Sequence, residues 1–124
     1  MISLLQILQL LLSLNANACE CASDKIEDSF ANADIIATVK ARSVKEKSAE
    51  LEAIQVWKGG KKIEEFTVNS GDSLCGFTFL EGEKYLVFAK RDGKTYTTGL
   101  CSGNKPLAEA NKDILWLKLR GLKK

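Results

Sequence analysis

The chain contains no histidine. That absence closes the Ser-His-Asp and Cys-His routes to nucleophilic catalysis, and any metal site built on imidazole. Carboxylates and serines are present, but no spacing among them marks a nucleophile or an acid–base couple, so an enzyme is not expected. Net charge is scarce too. The 18 basic and 16 acidic residues leave a formal charge of +2, and strong non-specific binding to nucleic acid is not indicated. No charged side chain precedes Glu20, and no second long apolar stretch follows the opening one. Nothing beyond that opening run should cross a membrane. From Cys19 onward there is no Asn-x-Ser/Thr acceptor, so N-glycosylation is not expected. Repeats and low-complexity tracts are missing as well.

What is present begins with "MISLLQILQLLLSL", apolar or small hydroxyl throughout except for Gln6 and Gln9. The run is too short to span a bilayer comfortably. It leads into Ala16-Asn17-Ala18, with small residues at the two positions that a signal peptidase reads. This pattern predicts a secretory signal over residues 1–18, cut between Ala18 and Cys19. A bacterial-type lipid signal prefers a bulky aliphatic residue where Ala16 stands, so plain secretion is the better reading. The secreted, extracellular product would span residues 19–124 and begin with a cysteine. About 106 residues suffice for one domain with a single core, and a monomer is expected.

All four cysteines, Cys19, Cys21, Cys75 and Cys101, lie in that part. An even count in a small secreted domain implies two disulfides. A four-thiolate zinc site fits poorly, because its usual paired spacing is missing. Joining Cys19 to Cys21 would close a very tight ring, so each is expected to reach a distant partner. Either of the two remaining pairings closes loops of roughly 55 to 80 residues, each worth roughly 4 kcal/mol through lost chain entropy. The N-terminus, which ordinarily frays, would be fastened twice.

Along the rest of the chain, "SDKIEDSFANA" predicts a short helix capped by Ser23 with Ile26 and Phe30 inward. "DIIATVKARSV" is β-branched and largely alternating, a strand signal. "AELEAIQVWKGG" predicts another strand, with Leu51, Ala53 and Gln55 on one face, Ile54 and Val56 on the other, and a turn at its double glycine. "KIEEFTVNSGD" and Tyr85–Ala89 add two more, and Asp92-Gly93 turns the chain into Lys94–Thr98. The tail from Pro106 favours a helix with Leu115, Leu119 and Leu122 on one stripe. The expected fold is mainly β: a five-stranded closed barrel of the oligonucleotide/oligosaccharide-binding (OB) type, with a short N-terminal helix and a C-terminal helix.

Several segments then carry a more specific likeness. The "CEC" start, "FANADIIATVKA", "IQVWKG", "SLCGFTFLEGEKYLVFAKRDG" and "TGLCSGNKPL" resemble the netrin-like module. More narrowly, they resemble the N-terminal domain of the tissue inhibitors of metalloproteinases. The resemblance implies pairing of Cys19 with Cys75 and of Cys21 with Cys101. It also implies secreted inhibition of a zinc metalloendopeptidase. The free α-amino nitrogen and carbonyl oxygen of Cys19 would chelate the catalytic zinc, which the target supplies, since the inhibitor carries no cofactor of its own. Glu20 would enter the primary specificity pocket, Cys21 and Ala22 would continue the wedge, and Ser73 and Leu74 would flank it. Glu20 departs from the small or hydroxyl residue common in the family. Burying an unpaired carboxylate costs several kcal/mol, so a target with a basic or wet pocket is expected. The four cysteines also leave no pair for the third disulfide of vertebrate members.

The alternative function is a secreted netrin-like binding module that recognises a matrix component or receptor without inhibiting anything. Lys58, Lys61, Lys62, Lys84, Lys90, Arg91 and Lys94 would supply a glycosaminoglycan-binding face, although acidic neighbours favour an ordinary solvated surface. Trp57 reads as packing at a barrel end. The leucine stripe, with Lys118, Arg120, Lys123 and Lys124 near it, reads as packing against the barrel in preference to a membrane surface.

Overall fold

A computed structural model describes residues 19–60, 62–71 and 75–121. The leader expected at residues 1–18, and Ser73 and Leu74, expected to flank the N-terminal wedge, lie outside the described residues. The described residues open with a segment outside any helix or strand, followed by helix α1 (Ile26–Asn32) and strands β1 (Ile35–Val44), β2 (Ser48–Lys58) and β3 (Glu65–Asn69). Strands β4 (Lys84–Asp92), β5 (Thr95–Thr97) and the short β6 (Lys105–Pro106) follow. A turn of 3-10 helix at Leu107–Glu109 leads into helix α2 (Asn111–Gly121).

Strand β1 pairs antiparallel with β2, and β2 with β3; β3 runs parallel to β5, β5 is antiparallel to β4, and β4 returns to β1. The sheet is thereby closed into the OB-like five-stranded barrel, with β6 added beside β4 at Tyr85 and Leu86. The hairpin between β4 and β5 is two residues long, Gly93 and Lys94, since Asp92 still pairs with Thr95.

Two clusters organise the interior. Ile35, Ala37, Val39 and Ala41 of β1 point into the barrel with Leu51, Val68, Tyr85, Val87 and Phe79. The intervening Ile36, with Leu86 and Phe88 of β4, faces outward beneath α1 and α2. Both strands are therefore buried on both faces, which is why "IIATV" and "YLVFA" are apolar at nearly every position. Each large side chain so covered contributes roughly 1.5–3 kcal/mol. Ile26 and Phe30 of α1 pack on the outer cluster as expected, joined by Trp57, Ile114 and Trp116.

Three local expectations are corrected. Ser23 does not cap α1. The cap position is Lys25, and the Ser23 hydroxyl instead accepts the Lys25 N–H at 3.2 Å and donates to the Asp28 carboxylate. In β2 the alternation is broken by bulges: Thr38 lies opposite Gln55 and Val39 opposite Ala53, so Ile54 is an extra residue. The phase reverses there. Val56 joins Leu51 and Ala53 at the barrel interior, while Ile54 and Gln55 are exposed. Finally, Pro106 does not open the last helix but sits in β6. The stripe that packs is Ala110, just before α2, with Ile114 and Leu117, at i, i+4 and i+7, whereas Leu115 and Leu119 are exposed. Leu122 lies outside the described residues.

At the end of β2 the double glycine does more than turn the chain. Gly59 has φ 97°, and a Cβ there would stand 2.5 Å from the Asp34 carbonyl oxygen. Only glycine lets β2 close this tightly on the start of β1.

Candidate functional site

The segment Cys19-Glu20-Cys21-Ala22 precedes the first helix of the described residues and has no strand partner among them. Two covalent bonds hold it. Cys19 is joined to Cys75 and Cys21 to Cys101, with Cα–Cα distances of 5.3 and 5.1 Å. This is the pairing that the resemblance implies. The sulfurs of Cys19 and Cys101 are 3.8 Å apart, so the two bridges lie against each other. Between them Glu20 is exposed and makes no hydrogen bond or ion pair among the described residues. Cys19 is half-buried; Cys21 and Ala22 are exposed. The bridge also occupies the Cys19 sulfur, the atom on which a thioether lipid would be built.

The receiving loops are themselves fastened. The Leu100 N–H donates to the Cys75 carbonyl at 2.9 Å, which ties the two anchor loops together. Phe77 donates to the Ser70 carbonyl and Thr98 to the Asn69 carbonyl, each at 2.9 Å. Gly76, the last residue of the Ser-x-Cys-Gly motif, explains itself here. A Cβ on it would stand 2.9 Å from the Ser70 carbonyl and 3.0 Å from that of Gly71.

Asn104 holds the other anchor and was not singled out by sequence. Its Oδ1 accepts the Phe88 N–H at 2.7 Å, and its Nδ2 donates to the Thr98 hydroxyl at 2.7 Å and to the Gly99 carbonyl at 3.4 Å. The buried Thr98 hydroxyl in turn donates to the Phe88 carbonyl at 2.7 Å. One amide thus bolts the Cys101 loop to β4. The only sequence signal for it was the turn-forming composition of "SGNKP". Leu100, beside Cys101, is exposed and adds an apolar side chain to the same edge.

A cleft of about 320 Å³ opens behind the segment, lined by Ala22, Ser23 and Cys101 together with Asn32 of α1 and Phe88 and Thr98. Of the basic residues considered from sequence, Lys90 also lines this cleft, whereas Lys58 and Arg91 are engaged elsewhere. The Lys58 ammonium donates to the Phe30 carbonyl at 2.7 Å and sits 4.8 Å from that ring's centre. Arg91 donates to the Tyr96 hydroxyl at 3.4 Å, and that contact holds its guanidinium above its ordinary pKa. Lys84 lies directly across from Lys40; Lys61 is outside the described residues. Trp57 packs in the outer cluster and donates its indole N–H to Thr38 at 3.1 Å, a structural role.

Chemically, the edge offers a short stretch of backbone, exposed and held at two consecutive odd positions by bridges to different loops. Its donors and acceptors are main-chain groups and the Glu20 carboxylate, and cleavage before Cys19 would add a primary amine at its tip. No helix among the described residues is long and apolar enough to cross a membrane. No protein-family model matches the chain, and no curated protein matches it.

Proposed function

We propose that the chain is a secreted inhibitor of zinc metalloendopeptidases that acts through the α-amino nitrogen and carbonyl oxygen of a newly exposed Cys19. The observation that carries this reading is the double fastening of Cys19 and Cys21 to separate loops that are hydrogen-bonded to each other. A catalytic zinc keeps one coordination position open for water or substrate. An ordinary α-amino group, with a pKa of about 7.7–8.0, readily gives up its proton to a metal near neutral pH. A segment already held in place loses little conformational freedom on docking, so more of the contact energy becomes affinity.

Glu20 follows the chelating residue and would enter the target's specificity pocket, with Ala22 continuing the contact and Leu100 beside it. The exposed, unpaired carboxylate favours proteases whose pocket is basic or open to water, since an apolar pocket would have to desolvate it. A panel of zinc metalloendopeptidases titrated with protein beginning at Cys19 tests the proposal. At least one enzyme with a basic or wet pocket should be inhibited stoichiometrically. Glu20→Thr should tighten binding to enzymes with apolar pockets by on the order of tenfold or more. Unchanged affinity would remove Glu20 from the pocket.

A further inference from the structure

Helix α2 is apolar on two sides, and the fold covers one of them. Ile114, Trp116 and Leu117 pack on the barrel, and Leu117 is only 4% exposed. On the opposite side Leu115 and Leu119, one helical turn apart, remain 58% and 53% exposed. The charges are sorted in the same way. Asp113, the sole acidic residue of α2, is 15% exposed and paired with Lys105 at 2.7 Å. Arg120 lies over the rings of Phe30 and Trp116, at 5.1 and 5.4 Å. Lys112 and Lys118 stand three residues to either side of Leu115, are exposed, and make no ion pair among the described residues. The outward side of α2 therefore presents leucine flanked by unpaired lysine, with its one carboxylate turned away. The sequence continues the theme with Leu122, Lys123 and Lys124.

We infer that this side of α2 docks the protein on an anionic lipid bilayer, leucines in the headgroup boundary and lysines on the lipid phosphates and carboxylates. Two alternatives fit the charge pattern less well. A two-fold contact between copies of the chain would bring Lys112 and Lys118 against their own counterparts, like charge on like. Packing on the chain's own barrel is already taken by the other side of the helix. A leucine stripe bordered by lysines is instead the arrangement of helices that lie in a bilayer surface, where apolar burial and attraction to anionic headgroups add. Two leucines bury little area, so the binding is reversible and salt-sensitive.

The test is sedimentation of the chain from Cys19 onward, which holds every described element, with large unilamellar vesicles. Vesicles of phosphatidylcholine alone are compared with vesicles containing about 30% phosphatidylserine. Binding should be about tenfold or more stronger to the anionic vesicles, and should fall toward the neutral level in 0.5 M salt. The double variant Leu115→Ser/Leu119→Ser and the charge variant Lys112→Gln/Lys118→Gln should each lose most of it while keeping the wild-type thermal transition. Equal sedimentation with both vesicle types, or undiminished binding of the leucine variant, would overturn the inference. So would a concentration-dependent dimer in analytical ultracentrifugation that the leucine variant abolishes, since the stripe would then belong to a second copy.

Discussion

Single residues decide how firmly the N-terminal edge is held, and Asn104 is the clearest case. It satisfies the Phe88 N–H, the Thr98 hydroxyl and the Gly99 carbonyl with one side chain. Asn104→Ala would leave the amide of a strand residue buried without an acceptor. The expected cost is roughly 1–3 kcal/mol, read as a lower midpoint in urea unfolding with an unchanged slope. A variant that unfolds like the parent would show that the Cys101 loop is held by its disulfide alone. Residue identity was only partly informative before the fold was known. Cys19, Cys21, Cys75 and Cys101 were legible because cysteine in a small chain has few other uses. Asn104 was not, because asparagine in a Gly-rich turn is common and its three partners lie 5 to 16 positions away.

At the scale of elements, periodicity named the strands and misjudged two faces. The β-branched run after Asp34 and the dense run at Tyr85–Ala89 became β1 and β4, as read. In β2 the phase was lost at Ile54, because a bulge inserts one residue that no pattern of period two can reveal. Along α2 and the residue before it, both Ala110–Ile114–Leu117 and Leu115–Leu119 satisfy helical spacing. What selects the first is the apolar surface of Ile36, Leu86, Phe88 and Phe30 on the outer cluster, where Trp116 of α2 meets Phe30 edge-on at 5.4 Å. The two faces make opposite predictions. Leu117→Ala should destabilise the fold by about 2–5 kcal/mol, whereas Leu115→Ala should change it by no more than about 0.5 kcal/mol. Thermal unfolding of the pair checks this, and equal losses would place Leu115 in the core after all.

For the whole molecule, the barrel is a rigid mount for a short piece of exposed chain. Closure through β1 and β4 leaves both strands covered, and the loops after β3 and β5 emerge close together, since Thr98 bonds to Asn69 and Leu100 to Cys75. Each loop carries one cysteine, so the two bridges converge on Cys19 and Cys21. The closed barrel was legible in the number and spacing of strands. The convergence of the bridges was implied only by resemblance, because spacing alone left two pairings open. The proposed activity depends on where the polypeptide begins to within a single residue. The most direct measurement is therefore a comparison of two proteins on the same inhibited zinc endopeptidase: one beginning at Cys19, verified by intact mass, and one carrying a single extra Ala before it. The account predicts that the extra residue weakens inhibition by on the order of a hundredfold or more, through removal of the chelating amine, while the thermal transition is unchanged. Equal inhibition by the two proteins would contradict it.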